Sequence, residues 1–430
     1  MARRVVVTGL GLVTSLGLQL EETWQKALAG ISGVAPLSLP GTEHCPVRGV
    51  GAVKAMDWAQ IEGKFEEEAR VEGEKRTLFA LWAAKAALDD AGLGYAKAHE
   101  RFGVSLAAGL GIARLEDIDR WASVKGDFDF VGFGREYNHV HRDSILRNLS
   151  HRAASAVARR FRLNGPNCTI TTACASATQA LGLGSKSVQR GEADLMMAGG
   201  ADSMINPMGI AGFMLLQAAA TSPVEPAMLC RPFDRKRSGL VIGEGAGIAI
   251  LEEETHARHR GARIYAELAG YGSSMDAYQV TAPHPQGQGA ALSIQRAIRD
   301  AKLTPGDVNY INAHGTGTKL NDVAETLAIK SVFKEGAYKI PISSSKSLIG
   351  HLMAAAGGPE FIFTVLTVQR NEIHPTINLT SPDPKCDLDY VPNVKRAQSV
   401  SVALSNSFGF GGQNAALVVK KYHSNPTRPI

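Results

Sequence analysis

Val188-Gln189-Arg190-Gly191-Glu192 returns, with one residue changed, as Val368-Gln369-Arg370-Asn371-Glu372. Each pentapeptide closes a helix-like segment that opens at a reactive-looking turn. The first turn is Thr171-Thr172-Ala173-Cys174-Ala175-Ser176-Ala177; the second is Ser343-Ser344-Ser345-Lys346-Ser347-Leu348-Ile349-Gly350-His351. A second pair of matches occurs in the same order. Ala86-Ala87-Leu88-Asp89-Asp90-Ala91-Gly92-Leu93 precedes a strand-like run reaching Gly109, and Ala297-Ile298-Arg299-Asp300-Ala301-Lys302-Leu303 precedes one reaching His314. Two matches in one order predict duplicated halves, each built of strand–helix units.

The segments around these repeats alternate accordingly. Residues 4–8, 193–198, 245–251 and 308–313 read as strands, the middle two as buried ones, and residues 77–91 and 294–301 as helices. The pattern predicts an α/β chain with mostly buried sheets. The join is expected near residues 254–260, where an apolar run turns charged. The halves are then 1–256, carrying the cysteine turn, and 257–421, carrying the histidines and the lysine, with 422–430 as a tail.

Composition excludes several classes. With 430 residues, 44% of them hydrophobic, the chain can bury a large core, and a net charge of +5 without basic runs argues against nucleic-acid binding. Five cysteines, at 45, 168, 174, 230 and 386, form no CxxC pair, so a disulfide framework or a zinc site is not expected and a reducing cytoplasm is. The N-terminal residues lack the pattern of a signal peptide. The longest uncharged stretch, residues 203–224, contains Asn206, Pro207, Gln217 and Thr221 and is expected to be buried interior rather than a membrane span. Gly9-Leu10-Gly11 follows a strand, but the next glycine is Gly17, which is the wrong spacing for a dinucleotide fingerprint.

Four clusters can carry chemistry. Cys174 falls where a β-branched strand, Cys168 to Thr172, meets a helix rich in small residues from Ala173. A helix N-terminus favours a thiolate, so the pKa of Cys174 is expected to fall. A small core cysteine would fit the same pattern, and Cys168, inside the strand, is expected to be structural. His314 lies in Asn312-Ala313-His314-Gly315-Thr316-Gly317-Thr318, just past a strand, where hydroxyls and backbone N–H groups can position a polar substrate arm. Lys346 and His351 converge if the lysine sits in the turn and the histidine opens the helix, with Glu360 as a natural partner for the lysine. Asn406-Ser407-Phe408-Gly409-Phe410-Gly411-Gly412 can present backbone N–H groups to an oxyanion and rings to an apolar channel. His139-Val140-His141 has no further ligand nearby and is expected to lie at the surface.

In this order, together with Arg231-Pro232-Phe233-Asp234 and Gly243-Glu244-Gly245-Ala246-Gly247, the chain resembles the β-ketoacyl-[acyl-carrier-protein] synthases of type II over nearly its whole length. The resemblance implies a thiolase-like five-layer αβαβα sandwich working as a dimer, either of identical chains or with a related ketosynthase-like subunit. It implies no cofactor, because substrates arrive on the phosphopantetheine of an acyl carrier protein, and no nucleic-acid or membrane partner. By matching motif positions Cys174 is the nucleophile. His314 and His351 assist decarboxylation of malonyl, supported by Lys346 and Glu360. The N–H groups of Cys174 and Phe410 form an oxyanion hole, and Phe410 gates the acyl pocket. Ile112, Phe213 and Phe408 contact the acyl chain, and Thr316 and Thr318 contact the pantetheine arm.

The chain also departs from the family. Gln217 stands where an arginine often docks the carrier, leaving Lys64, Lys75 and Arg76 as basic candidates. Ser238, Gln413 and Gly358-Pro359-Glu360 differ as well. Rival expectations are a catalytically inactive chain-length-factor-like partner and a thiolase acting on coenzyme A thioesters. The latter needs a second catalytic cysteine, for which Cys386 is the one late candidate.

Overall fold

The computed structural model describes residues 3–42, 44–95, 99–111, 119–123, 126–140 and 144–424. Uncharged runs such as Val5–Val13 are buried along their whole length, as strands covered on both faces must be. The first unit consists of β1 (Val5–Val13), β2 (Phe102–Ala108), β3 (Asn167–Ile170), β4 (Leu195–Ser203) and β5 (Glu244–Glu253), in the spatial order β3-β2-β4-β5-β1. The second consists of β6 (Ala266–Met275), β7 (Tyr310–Asn312), β8 (Ile342–Ser343), β9 (Val402–Phe408) and β10 (Gln413–Lys420), in the order β8-β7-β9-β10-β6. Both units therefore share one topology. The first three strands in each spatial order are parallel and the fourth is antiparallel to both of its neighbours. The units meet edge to edge where Val6 pairs with Glu267 and Val7 with Ala266.

Helices complete five layers. In the first unit these are α1 (Lys75–Asp90), α2 (Arg152–Phe161), α3 (Ser176–Gln189) and α4 (Pro207–Leu215). In the second they are α5 (Gln288–Asp300), α6 (Lys319–Phe333) and α7 (Gly357–Arg370). Leu78 and Phe79 of α1 and Val157 of α2 pack on Val104, Leu106 and Ile248, covering one outer face. Ile294 and Ile298 of α5 and Ile329 of α6 cover the other over Ile311, Leu404 and Val418. Between the sheets, Leu181 and Val188 of α3 and Phe361 and Val365 of α7 pack against Leu10, Leu251, Leu417 and Val419. The result is the αβαβα sandwich that the resemblance implies. α3 and α7, the two helices closed by the repeated pentapeptides, form its middle layer.

The parallel strands of each unit end on the same side, where open α/β sheets place their sites. Gly109 follows β2, Cys174 follows β3 and Asp202 lies near the end of β4; His314, Lys346 and Phe410 follow β7, β8 and β9.

Several expectations need correction. α3 starts at Ser176 rather than Ala173, so Cys174 lies in the turn before it. Residues 203–224 are not uniformly interior. Gly209 and Ile210 of α4 are buried, whereas Leu215 is 84% exposed and Met208 52%, because the helix lays one face on the protein and leaves the other open. Cys168 is exposed, since β3 is an edge strand, although its thiol donates to the Ser105 Oγ at 3.3 Å. Ile112, His141 and residues 425–430 lie outside the described residues. Among the described residues no helix is long and apolar enough to cross a membrane.

Candidate active site

Cys174 is 8% exposed, in a turn drawn tight by a nearby hydroxyl. The Ser176 Oγ accepts the Thr172 N–H at 2.7 Å and donates to the Ala173 carbonyl at 2.6 Å. Between them Ala173 is forced to φ +49°, a left-handed conformation that costs a non-glycine residue on the order of 1 kcal/mol or more. The loop after β9 packs directly on this turn. A side chain at Gly409 would place its Cβ 3.0 Å from the Cys174 nitrogen and 3.1 Å from the Thr172 carbonyl, so it would push the turn back by a few tenths of an ångström, and glycine lets the two come this close without that shift. The approach brings the Phe410 N–H to the sulfur.

The second unit supplies the remaining groups. His314 leaves β7 with its N–H and that of Gly315 both donated, at 2.8 Å, to the Glu325 carboxylate on α6. Lys346 opens a one-turn helix, Lys346–Ile349, and its buried ammonium contacts Glu360 and, at 3.2 Å, the His314 Nδ1. His351 comes after that helix and before a second short one, Met353–Ala355, so it does not open the long helix as expected. Its N–H donates to the Val241 carbonyl at 2.7 Å, and its carbonyl accepts the Gly243 N–H at 2.8 Å.

These bonds set the tautomers. The His351 Nδ1 accepts the Met353 N–H at 3.1 Å, so the ring proton sits on Nε2, which is buried without a partner among the described residues. The His314 Nδ1 faces an ammonium donor, so its proton also sits on Nε2. The thiol and both imidazoles offer atoms within 4.8 Å of one another, and the two rings stand edge to face with centroids 5.4 Å apart. One thiolate with a pair of imidazoles can hold a soft cation, but the Lys346 ammonium beside them opposes one.

Burial is the largest influence on the two imidazoles, on the Glu360 and Glu325 carboxyls and on the thiol. It pushes both imidazoles well below the usual histidine range, reinforced by the Lys346 charge, so both are neutral. It raises Glu360 to about 7 against the pull of Lys346, and Glu325 to about 7 against its two N–H donors. Burial also pushes the Cys174 thiol up to about 11, with Lys346 and the Phe410 N–H working against it. The fall expected from a helix N-terminus is thus outweighed, because the sulfur is sealed from water.

Of the other predicted residues, Phe408 stacks edge-on to His314 at 5.8 Å, and Phe410 and Phe213 share one apolar cluster with Met353. The hydroxyls of Thr316 and Thr318 lie 2.9 Å apart in the loop leading from His314. Cys386 belongs to the outer core of the second unit and is not part of the Cys174 constellation. The docking candidates divide. Lys64 is exposed at a helix end. The Lys75 ammonium is held 3.0 Å from the buried Glu244 carboxylate. Arg76 is 4% exposed and donates to the carbonyls of Gly109, Leu110 and Arg147, so it cannot meet a partner.

Several supporting carboxylates were not anticipated: Glu325; Asp322, which accepts the Phe233 and Gly317 N–H groups; and Asp276, which accepts the Asn414 amide and the His284 N–H. Asp322 and Glu325 stand three apart on the helix that follows the His-Gly-Thr-Gly-Thr run, a spacing that puts both on one face. That was the available signal.

Sequence profiles for the β-ketoacyl synthase N-terminal and C-terminal domains match residues 2–257 and 265–380. The 3-oxoacyl-[acyl-carrier-protein] synthase 2 of Synechocystis sp. is 41% identical over 422 residues, 98% of this chain and 98% of that one. A type II polyketide synthase acyl-carrier protein in complex with its ketosynthase, bound to the hexaketide, includes a chain that aligns with 98% of this one and over its whole length, at 35% identity and a TM-score of 0.87. The ishigamide ketosynthase/chain length factor aligns over 98% and 100% of the two chains, at 34% identity and a TM-score of 0.85. With both domains matched, the relatives aligned end to end and the thiol set between two neutral imidazoles, the chain belongs to the β-ketoacyl synthase family.

Proposed function

We propose that this protein catalyses the decarboxylative condensation of an acyl group, held on Cys174, with malonyl carried on an acyl carrier protein. The products are 3-oxoacyl carrier protein, CO2 and free carrier protein. The observation that carries this is the convergence of a buried thiol with two neutral Nε2–H donors, one of them without a partner among the described residues.

The chemistry follows from the protonation states. An acyl thioester enters, the Cys174 sulfur attacks its carbonyl, and the thiol proton leaves with the departing pantetheine sulfur. The exchange is near thermoneutral, and the Lys346 charge and the Phe410 N–H favour the thiolate in which the sulfur attacks. Malonyl thioester then loses CO2, and the electron pair moves onto the thioester oxygen as an enolate. The two Nε2–H groups donate to that oxygen, and such preorganised donors are each worth on the order of 3 kcal/mol. The Lys346 charge keeps both rings neutral, and therefore donors, where a more basic imidazole would protonate. The enolate carbon attacks the acyl-cysteine carbonyl. The N–H groups of Cys174 and Phe410 hold the oxyanion that this attack creates, with the carbon–carbon bond now formed. Its collapse releases the sulfur, which takes up one proton. Exclusion of water protects the carbanion throughout.

The finer assignments belong to the same proposal. Thr316 and Thr318 take the pantetheine arm, and Phe213, Phe408, Phe410 and Ile112 take the acyl chain. Lys64 is the remaining basic docking candidate. The duplicated halves 1–256 and 257–421 are supported by the repeated strand order. The working form is a dimer, with an identical or a ketosynthase-like partner. The open edge of β3 and the exposed Phe130, Val131 and Tyr137 support it, since such surface favours association. The protein acts in the cytoplasm, in fatty-acid or related polyketide or polyene elongation, without a cofactor. Purified protein given malonyl carrier protein and carriers charged with acyl groups of varied length is expected to yield 3-oxoacyl carriers two carbons longer, read by mass spectrometry. Absence of elongated product with every starter, as homodimer or with a partner subunit, would contradict the proposal.

A further inference from the structure

One buried carboxylate near the site has no part in the chemistry above. Asp202, 2% exposed at the end of β4, points its Oδ2 at the Ala354 N–H, 2.9 Å away, while its Oδ1 accepts the Ser203 N–H at 2.9 Å. Ala354 is the middle residue of the short helix Met353–Ala355, and Met353 supplies the N–H that sets the His351 tautomer. That turn is under strain, since Met353 has φ +49°, a conformation a side-chain-bearing residue rarely adopts.

The chain from carboxylate to imidazole is short and continuous. Asp202 holds the Ala354 N–H, the peptide before it places the Met353 N–H, and that N–H holds the His351 Nδ1. The backbone of His351 itself is fixed separately, by the Val241 and Gly243 pairs. Asp202 therefore governs ring orientation rather than the position of the residue.

The surroundings are built to admit the carboxylate. A Cβ at Gly109 would lie 2.3 Å from the Asp202 Oδ2 and 2.7 Å from its carboxyl carbon, so glycine is required there for Asp202 to reach the turn. The buried Arg76 holds the Gly109 carbonyl at 3.0 Å and lends its positive charge to the same corner, opposed by Glu74. Burial pushes the Asp202 carboxyl up to about 6, and the two N–H donors and Arg76 pull it back.

We propose that Asp202 is a positioning residue for decarboxylation: by clamping the Met353–Ala355 turn to the end of β4 it aims the His351 Nε2–H into the site. This rests on the role proposed above for His351. It assigns Asp202 to the decarboxylation half-reaction, because Cys174 is held by its own turn and by the loop after β9, and the influence of Asp202 on the thiol is that of its charge, which raises the thiol pKa.

The test measures the two half-reactions separately, on wild type, Asp202→Asn and Gly109→Ala. In Asp202→Asn the amide retains one acceptor but turns an NH2 towards the other N–H donor. Gly109→Ala leaves the charge alone and displaces the carboxylate from the side. A misplacement of about 1 Å can cost on the order of 100-fold. Release of CO2 from malonyl carrier protein is therefore expected to fall by about tenfold or more in both variants, with acyl loading of Cys174 within about twofold of wild type. If Asp202→Asn does not fold, Gly109→Ala reads the same split. Unchanged decarboxylation in a folded variant, or an equal fall in both half-reactions, overturns the assignment. A wild type that does not decarboxylate malonyl carrier protein overturns the proposed function with it, which distinguishes the two failures.

Discussion

Strand for strand, the two halves of this molecule are the same object, yet they end differently. The third strand of the first half, β3, runs into a turn presenting a thiol, and its counterpart β8 runs into one presenting an ammonium. The second strand, β2, is followed by Gly109, which clears space; its counterpart β7 is followed by His314, which fills it. The sheets and the paired helices α3 and α7 carry the shared frame, and the loops past the parallel strands carry the divergence. The difference teaches that the nucleophile and the donor set were placed on separate copies of one scaffold, so the half-reactions they serve should be separable by mutation.

The largest effect breaks the first half alone. Cys174→Ala is expected to abolish acyl loading, measured as loss of the acyl mass shift on the intact protein, while the fold persists because the replaced side chain is small. Full condensing activity in this variant would refute the nucleophile. Next, His351→Ala breaks the second half. It removes one donor to the enolate, so condensation should fall about 100- to 1,000-fold in kcat, whereas acyl loading of Cys174 should remain near wild type in a single-turnover assay. A parallel loss of loading would show that the halves are not separable.

The third prediction concerns the pair behind the donors. Lys346→Ala leaves the Glu360 carboxylate buried without its partner, which should cost about 3–5 kcal/mol in a denaturant melt. Lys346→Met with Glu360→Leu removes both charges and should recover most of that stability. A single variant as stable as the double one would mean that the pair is not buried in solution. The smallest effect sharpens the view of the thiol itself. Because burial raises Cys174 to about 11, its alkylation by iodoacetamide, followed at Cys174 by peptide mass spectrometry, should quicken as thiol gives way to thiolate. That is roughly tenfold per pH unit between about pH 8 and 10. A rate already level by about pH 8 would show that the thiolate exists at rest.

The comparison also shows what could be read from residue order and what could not. The duplication was legible because the pentapeptides ending α3 and α7 survive nearly unchanged, both at left-handed helix ends, Gly191 and Asn371. The reactive loops were legible because each concentrates glycine, threonine or serine around one chemically distinct residue. The supporting carboxylates were barely so. Glu325, Asp322 and Asp202 bond to backbone N–H groups brought in from other segments, and a backbone partner leaves little mark in the side-chain pattern: the three-residue spacing of Asp322 and Glu325 on one helix face, and nothing for Asp202. The Cys174 pKa misled for a related reason. A helix N-terminus is a local feature that can be seen in sequence, whereas burial depends on the Gly409–Phe410 loop, His314 and His351 arriving from far along the chain. Arg76 shows the same limit: next to the equally basic Lys75 in sequence, it turns inward to three carbonyls.

The most direct test of the division between halves is one assay on Cys174→Gln, which replaces the nucleophile with a neutral side chain and leaves His314, Lys346 and His351 in place. With malonyl carrier protein as sole substrate, it is expected to release CO2 and form acetyl carrier protein at a rate no lower than wild type, with no acyl loading at residue 174. Loss of decarboxylation in this variant, with the protein folded and His351 intact, would contradict the account.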